Sequence, residues 1–142
     1  MQLTRAADYA VRIMIHLAGL RPGRRRNRTA LAQAGQVAEH FLAKVLQSLV
    51  RAGLIDSQRG MNGGFSLAKA PEQITILDIV EAIEGPLSLN VCLVSGETCG
   101  RKPWCPAHRV WAEAQDAMAK VLRNATIASL AATTEISQAV SS

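Results

Sequence analysis

The sequence predicts a mainly α-helical fold with one small β-hairpin and a long C-terminal helix. Three observations predict it. Apolar residues recur at helical spacing in three separate stretches. Hydrophobic residues make up 49% of the chain but aromatic ones only 4%, so the core rests on Leu, Ile, Val and Ala, which suits helix packing. A turn-rich segment, Gly60-Met61-Asn62-Gly63-Gly64, lies between two short strand-like runs. At 142 residues the chain is long enough for one core and not for two.

The elements follow in order. Thr4 reads as an N-cap for a first helix with Ala6, Tyr9, Ala10, Ile13 and Leu17 on one face. Gly19, Pro22 and Gly23 end it, and Arg24, Arg25, Arg26 and Arg28 form a basic loop. Thr29 is expected to cap a short helix over 30–34, closed by Gly35. A third helix over 38–52 turns Phe41, Val45, Leu46 and Leu49 inward and ends at Gly53. Two helices joined by a tight turn make a helix-turn-helix unit. Leu54-Ile55 and Phe65-Ser66-Leu67 then flank the turn as a hairpin with Arg59 near its tip. Helix-turn-helix followed by a hairpin is the order of a winged helix.

Thr75 and Asp78 resemble a capping box opening a helix through Glu84, which Gly85-Pro86 stops. Residues 87–104 show no periodicity. Cys105 precedes Pro106, a favoured first helical position. From there Val110, Trp111, Ala114, Met118, Val121 and Leu122 form an apolar stripe over about five turns. Thr126 is placed to cap one further short turn, and the tail from Ala131 is expected to fray. The stripe either packs back on its own domain or crosses to a second subunit. A homodimer is the preferred reading, because palindromic DNA sites require two-fold proteins.

Charge points to a partner. Residues 1–69 hold eleven Lys or Arg against three Asp or Glu, whereas residues 70–142 hold five against eight. One basic half is the asymmetry expected where one end meets a polyanion. The polar side of the third helix carries His40, Lys44, Gln47 and Arg51. Residues near the start of a recognition helix reach base edges, so His40 and Lys44 are candidate readers with Gln47 beside them. Arg59 on the wing suits a minor groove or a phosphate, and Arg28 is a candidate phosphate contact. No apolar run reaches membrane-spanning length, since Asp8 and Arg12 interrupt the first. That stretch also lacks a signal peptide's unbroken apolar block, so the cytoplasm is the expected location.

Cys92, Cys99 and Cys105 follow C-x6-C-x5-C, with His108 three residues on. An odd number of thiols cannot all pair internally, and in a cytoplasmic chain such a cluster suggests metal or redox chemistry. Zinc knuckles commonly bring two cysteines from a C-x2-C turn, which is missing here. Wider spacing suits an iron–sulfur cluster, of two- or four-iron type. Structural zinc and unligated buried cysteines are the alternatives. Asp8 has its own plain reading as a salt bridge to Arg12 four residues on. His16 reads as a half-buried histidine. No glycine-rich phosphate loop, paired catalytic carboxylates or Ser/His/Asp set occurs, so an enzyme or a small-molecule substrate is not expected.

Leu3-Thr4, Asp8-Tyr9-Ala10-Val11-Arg12, the stretch Leu49 to Leu54, the wing Arg59 to Gly64, Ile79 to Pro86 and three cysteines before a long helix together resemble one family. It is the small iron–sulfur winged-helix transcription regulators that include IscR, NsrR and RirA, and the likeness spans roughly residues 1–130. It implies a homodimer on a palindromic double-stranded operator, with Cys92, Cys99 and Cys105 as thiolate ligands of an iron–sulfur cluster. The fourth ligand differs within the family. Asp8 of the partner subunit matches the nitric-oxide-sensing branch, and His108 matches the biogenesis branch.

The subfamily signals are mixed. Pro86-Leu87-Ser88-Leu89 is similar to the nitric-oxide sensors. Phe41-Leu42, Lys44-Val45-Leu46-Gln47 and the Asn-Gly-Gly wing are similar to the rhizobial iron regulator, and His108 with Trp111 to the biogenesis regulator. Ala43 departs from the acidic base-reading residue of that last branch. The implied layout is a DNA-binding unit over 1–85, a cluster-binding loop over 86–105, a dimerisation helix over 106–130 and a flexible tail over 131–142. The implied function is a repressor gated by cluster state in response to nitric oxide, iron or cluster supply. The alternative is a DNA-binding regulator with structural zinc and no sensing.

Overall fold

The computed structural model describes residues 3–90, 93 and 104–141. Its elements run α1 (Arg5–Ala18), α2 (Arg28–Gly35), α3 (Glu39–Arg51), β1 (Ile55–Gln58), β2 (Gly64–Leu67), α4 (Ile76–Glu84), α5 (Pro106–Asn124) and α6 (Ile127–Ser141). A 3-10 turn at Pro71–Gln73 precedes α4. The winged helix-turn-helix expected from the sequence is therefore present, with α3 as its second helix and the hairpin as its wing.

Helix α1 starts where Thr4 accepts the Ala7 N–H at 3.2 Å. It buries Ala7, Ala10, Ile13, Met14 and Leu17, a stripe at helical spacing. That face meets α2, α3, α4, α6 and β2. The start of α2 differs from expectation. Asn27, not Thr29, is the cap, its side chain accepting the Ala30 N–H at 2.8 Å. Thr29 already lies inside the helix and donates to Glu39 Oε1 at 2.6 Å instead. The left-handed residue after α2 is Gln36, with φ 55°. Gly35 is buried, and a Cβ there would stand 3.3 Å from Val37 and 3.4 Å from Ile13.

In α3 the buried residues are Leu42, Val45, Leu46 and Leu49. Phe41, expected inward, is 37% exposed. The spacing explains the exchange: Leu42 precedes Val45 and Leu46 by three and four residues and shares their face, whereas Phe41 falls about 100° away. Gly53, at φ 76°, lets the chain leave α3 in a left-handed turn.

Strands β1 and β2 pair antiparallel, Ile55 with Leu67 and Gln58 with Gly64. Arg59 opens the connecting turn, as expected from the sequence. The hairpin is not alone. Arg26 donates its N–H to the Phe65 carbonyl at 3.0 Å and accepts the Phe65 N–H at 2.8 Å, so the α1–α2 loop forms a one-residue third strand. This approach requires Gly64, where a Cβ would lie 2.6 Å from the Arg26 oxygen at φ 123°. His16, in the last turn of α1, is half-buried, and burial together with the positive charge of Arg26 holds its pKa below the ordinary imidazole value.

The expected capping box is present in α4, with Thr75 N–H to Asp78 Oδ2 at 3.0 Å and Asp78 N–H to Thr75 Oγ1 at 3.1 Å. A second staple ties the C-terminal helices to the body. Ile76 N–H donates to the Ala125 carbonyl at 2.9 Å and Ile127 N–H to the Ile74 carbonyl at 3.0 Å, with Ile74 and Ile127 both fully buried. The frayed tail expected after Ala131 is instead the continuation of α6 to Ser141. Ile127 and Ala131 are buried, and the hydroxyls of Thr133 and Thr134 bond back to carbonyls of their own helix while that of Ser129 bonds to the Thr126 carbonyl just before it. Helix α5 packs on α4, yet none of its residues is buried.

The bridge between loop and wing and the half-buried imidazole are each open to test. Gly64→Ala forces a Cβ onto the Arg26 backbone in a left-handed conformation and should cost about 2–3 kcal/mol. A thermal melt should then fall by roughly 5–10 °C, and an unchanged melt would remove the steric argument. For His16, a folded-state pKa below the unfolded one means that its contribution is complete above about pH 6.5 and is lost as pH falls. The melting difference between His16→Gln and the parent chain should therefore grow in favour of the variant from about pH 7.5 to about pH 5.5. A constant difference would contradict it.

Candidate nucleic-acid interface and metal-ligand set

The exposed side of α3 carries His40, Lys44 and Gln47, all open to solvent. Its first turn is anchored from α2: Glu39 accepts from Thr29 and lies 3.9 Å from the Arg28 guanidinium. Both members of that ion pair are about half exposed, so it orients side chains more than it stabilises the fold. Arg28 sits at the first position of α2, one element further on than the loop to which the sequence assigns it.

Between α3 and the hairpin lies a depression lined by Arg28, Gln47 and Arg59 together with Ala43, Leu46, Val50, Ser57 and Phe65. The fold thus gathers three of the five candidate DNA-contacting residues at one place. His40 and Lys44 stand outside it, on the exposed side of the same helix. The arrangement offers cationic and amide donors above an apolar floor, which suits phosphate oxygens and base edges.

The first turn of α3 also touches α1 through aromatic rings. Phe41 meets Tyr9 edge-on, with centroids 5.6 Å apart at 84°. Over the same Tyr9 ring lies the Arg12 guanidinium, 5.8 Å from the centroid. Arg12 in turn pairs with Asp8 at 2.9 Å. The plain salt bridge read from the i, i+4 spacing is therefore present, and it joins Asp8 through Arg12 and Tyr9 to the recognition helix.

Of the candidate metal ligands, Cys92 and Cys99 lie outside the described residues. Cys105 is the N-cap of α5, a free and half-exposed thiol whose side chain makes no capping bond. Pro106 follows at the first helical position. His108, one turn along, donates its backbone N–H to the Cys105 carbonyl at 3.2 Å. The positive end of the α5 dipole favours anionic ligands at this point. Thiolates with an imidazole or a carboxylate are donor types that suit an iron–sulfur cluster. Among the described residues Cys105 and His108 are the candidates brought near one another, and no group of three His, Cys, Asp or Glu that could hold a metal ion occurs.

The neighbourhood ties this turn to the rest. Leu89 donates its N–H to Gln115 Oε1 of α5 at 2.8 Å. The last residue of α4, Glu84, accepts the Thr4 N–H at 2.7 Å, just before the turn of α1 that carries Asp8. Two features escape a sequence reading. The Tyr9–Phe41 contact joins residues 32 positions apart, and the Arg26–Phe65 bridge joins residues 39 apart. The adjacent glycines at 63 and 64 are the one local sign that a backbone passes close.

Comparisons with known proteins agree with this architecture. A sequence model of the Rrf2 family, described as iron-dependent transcriptional regulators, matches residues 3–133. The chain is 37% identical over 131 residues to the HTH-type transcriptional regulator NsrR of Geobacillus kaustophilus, covering 92% of this chain and 89% of that protein. Among solved structures it is similar to CymR, the global cysteine regulator of B. subtilis, at 30% identity and a TM-score of 0.76, covering 94% of this chain and 98% of that one. It is also similar to T. potens IscR, at 25% identity and a TM-score of 0.78, covering 97% and 91%.

Proposed function

The chain belongs to the Rrf2 family of transcriptional regulators, which are not enzymes, and from that premise we propose that it is a dimeric repressor whose DNA affinity follows the state of an iron–sulfur cluster. The proposed ligands are Cys92, Cys99 and Cys105, completed by His108 or by the partner subunit's Asp8. The observation that carries the reading is the position of Cys105. It is a free, accessible thiol at a helix start, closing a segment that opens where α4 stops, and α4 packs on the recognition helix. The likeness to NsrR and IscR supports the same reading. When bound, the cluster supplies iron that nitric oxide, oxygen or iron shortage can attack or remove.

The remaining steps belong to the chain. Ligation through Cys105 would act on the first turn of α5, the helix to which Leu89 bonds through Gln115. Helix α4 passes the constraint to α1 through Glu84 and Thr4, and to α3 by direct packing. The Asp8–Arg12–Tyr9–Phe41 line is a second route to the same recognition helix. On DNA, His40 and Lys44 read base edges, Gln47 lies beside them, Arg59 enters the minor groove, and Arg28 meets a phosphate. The partner is a palindromic duplex, matched by a homodimer whose α5 stripe of Val110, Trp111 and Val121, all exposed in the single chain, is covered by a second copy. No helix among the described residues is long and apolar enough to cross a membrane.

Two experiments test this. Protein purified without oxygen should show broad sulfide-to-iron absorption that bleaches on titration with a nitric-oxide donor. Single Ala variants of Cys92, Cys99 and Cys105 should abolish it, and Asp8→Ala against His108→Ala should identify the fourth ligand by which variant loses the cluster. A colourless protein with one zinc per chain and no inorganic sulfide would overturn the cluster and leave a zinc-stabilised regulator. Separately, Lys44→Ala and Arg59→Ala should each weaken duplex binding by about tenfold at physiological salt, in line with roughly 1–3 kcal/mol per specific contact. Unchanged affinity in both would remove this placement of the interface.

A further inference from the structure

The wing has two flanks, and the proposed interface uses one of them. The inner flank faces α3, and Arg28 of α2, Gln47 of α3 and Arg59 of the wing line the depression between them. The outer flank faces the α1–α2 loop, where Arg26 and Phe65 exchange backbone hydrogen bonds and make the loop part of the wing. Arg25 adds a bond from its guanidinium to the Gly64 carbonyl at 3.4 Å, which leaves its other N–H groups unspent there. Between the loop and the turn runs an open groove lined by Arg24, Arg25 and Arg26 with Asn27, Asn62 and the wing glycines.

Charge is directed into this groove. No acidic residue lines it. The neighbouring groove behind the loop also touches Arg24 and Arg25, but there Asp56 and Glu72 oppose them. Arg24 is exposed, and Arg25 and Arg26 beside it are part-buried. Like charges packed this closely cost free energy unless an anion offsets them.

A wing that enters a minor groove stands between two phosphate backbones, only about 6 Å apart across the groove. Cations on one flank meet one strand alone. We propose that Arg24 and Arg25 hold the DNA phosphate strand on the outer flank of the wing, across the groove from the strand met by the inner flank. Arg26 acts through its backbone, keeping the loop fixed to β2. The clamp rests on the interface reading and extends it to a sequence-independent grip. Its contribution is affinity and register, while base discrimination stays with α3.

The test uses the full chain and two short generic duplexes of unrelated sequence, with affinity measured across a salt series. Removing one phosphate-binding cation lowers the slope of log affinity against log salt by about 0.9. Each substitution removes two cations from a dimer, so Arg24→Ala, which keeps the Arg25–Gly64 bond in place, should reduce the slope by about 1.8. The double variant with Arg25→Ala should reduce it by about 3.6. The fall in affinity between roughly 50 and 200 mM salt should then shrink about 12-fold for each position changed. Both duplexes should respond alike, and Arg24→Lys should restore most of the slope.

A slope and affinity unchanged in Arg24→Ala and the double variant, alongside weakened binding in Lys44→Ala or Arg59→Ala, would overturn the clamp and leave the interface standing. Weaker binding with an unchanged slope would also overturn it, since the loop would then act by shaping the wing. A parent chain that binds neither duplex in a salt-dependent way would overturn the interface reading itself.

Discussion

Burial of one face of α1 is the constraint on which the rest of the molecule depends. Ala10, Ile13 and Met14 have no exposed surface, and the helix that carries them touches α2, α3, α4, α6 and β2. Each fully buried large side chain of this kind contributes about 1.5–3 kcal/mol. No other described element packs extensively on so many neighbours. The recognition helix, the wing and the C-terminal helices are positioned relative to one another because each is positioned relative to α1. The outer surface of the same helix is free to carry Asp8 and Arg12, so a change there is felt in the element that orients α3.

Two backbone staples complete that frame, and each joins segments that hydrophobic burial alone would leave loose. The Arg26–Phe65 pair fixes the wing to the α1–α2 loop, and the pairing of residues 74–76 with 125–127 fixes the last two helices to the body. Both satisfy backbone groups that would otherwise lie beside the core without partners. The first is possible only because residue 64 is glycine. A wing of two four-residue strands is marginal by itself, and the third strand makes it a rigid carrier for the arginines on its flanks.

What was legible in the sequence was what local rules decide. Thr4 as a cap, the Thr75–Asp78 box, the apolar stripe of α1, the hairpin and Arg59 at its turn all follow from short-range patterns and are where those patterns put them. The departures come from competition or distance. Asn27 and Thr29 are both good caps, and Thr29 was taken by Glu39 from another helix. Phe41 is more hydrophobic than its position requires, because Tyr9 supplies a partner outside the core. Helix α6 looks like a polar tail until its hydroxyls are seen bonding to its own carbonyls and Ile127 is seen sealing against Ile74. Of the candidate sites, the basic side of α3 and the helix-start cysteine were readable from residue type and spacing. The gathering of Arg28, Gln47 and Arg59 was not, since it depends on how the hairpin folds over α3.

The placement of the cysteines has an energetic logic within the proposed function. The N-terminal body has a closed apolar core, whereas α5 buries none of its own residues within the chain and, with Trp104 just before it, leaves Val110 and Val121 more than half exposed. In the proposed function such an element would be held from outside: by a second copy along its stripe, by ligands at its first turn, or by both. Elements that move in regulation are drawn from the less stable part of a fold, because a small free-energy change can then shift their position. In the proposed function a ligand set at the start of α5 would act on that exposed helix, and the contacts of α4 would carry the result into the part that faces DNA. Moving the same thiols into the α1 core would bury them and remove the leverage. The proposed site is thus one where a modest change in ligation would alter geometry without unfolding the reader.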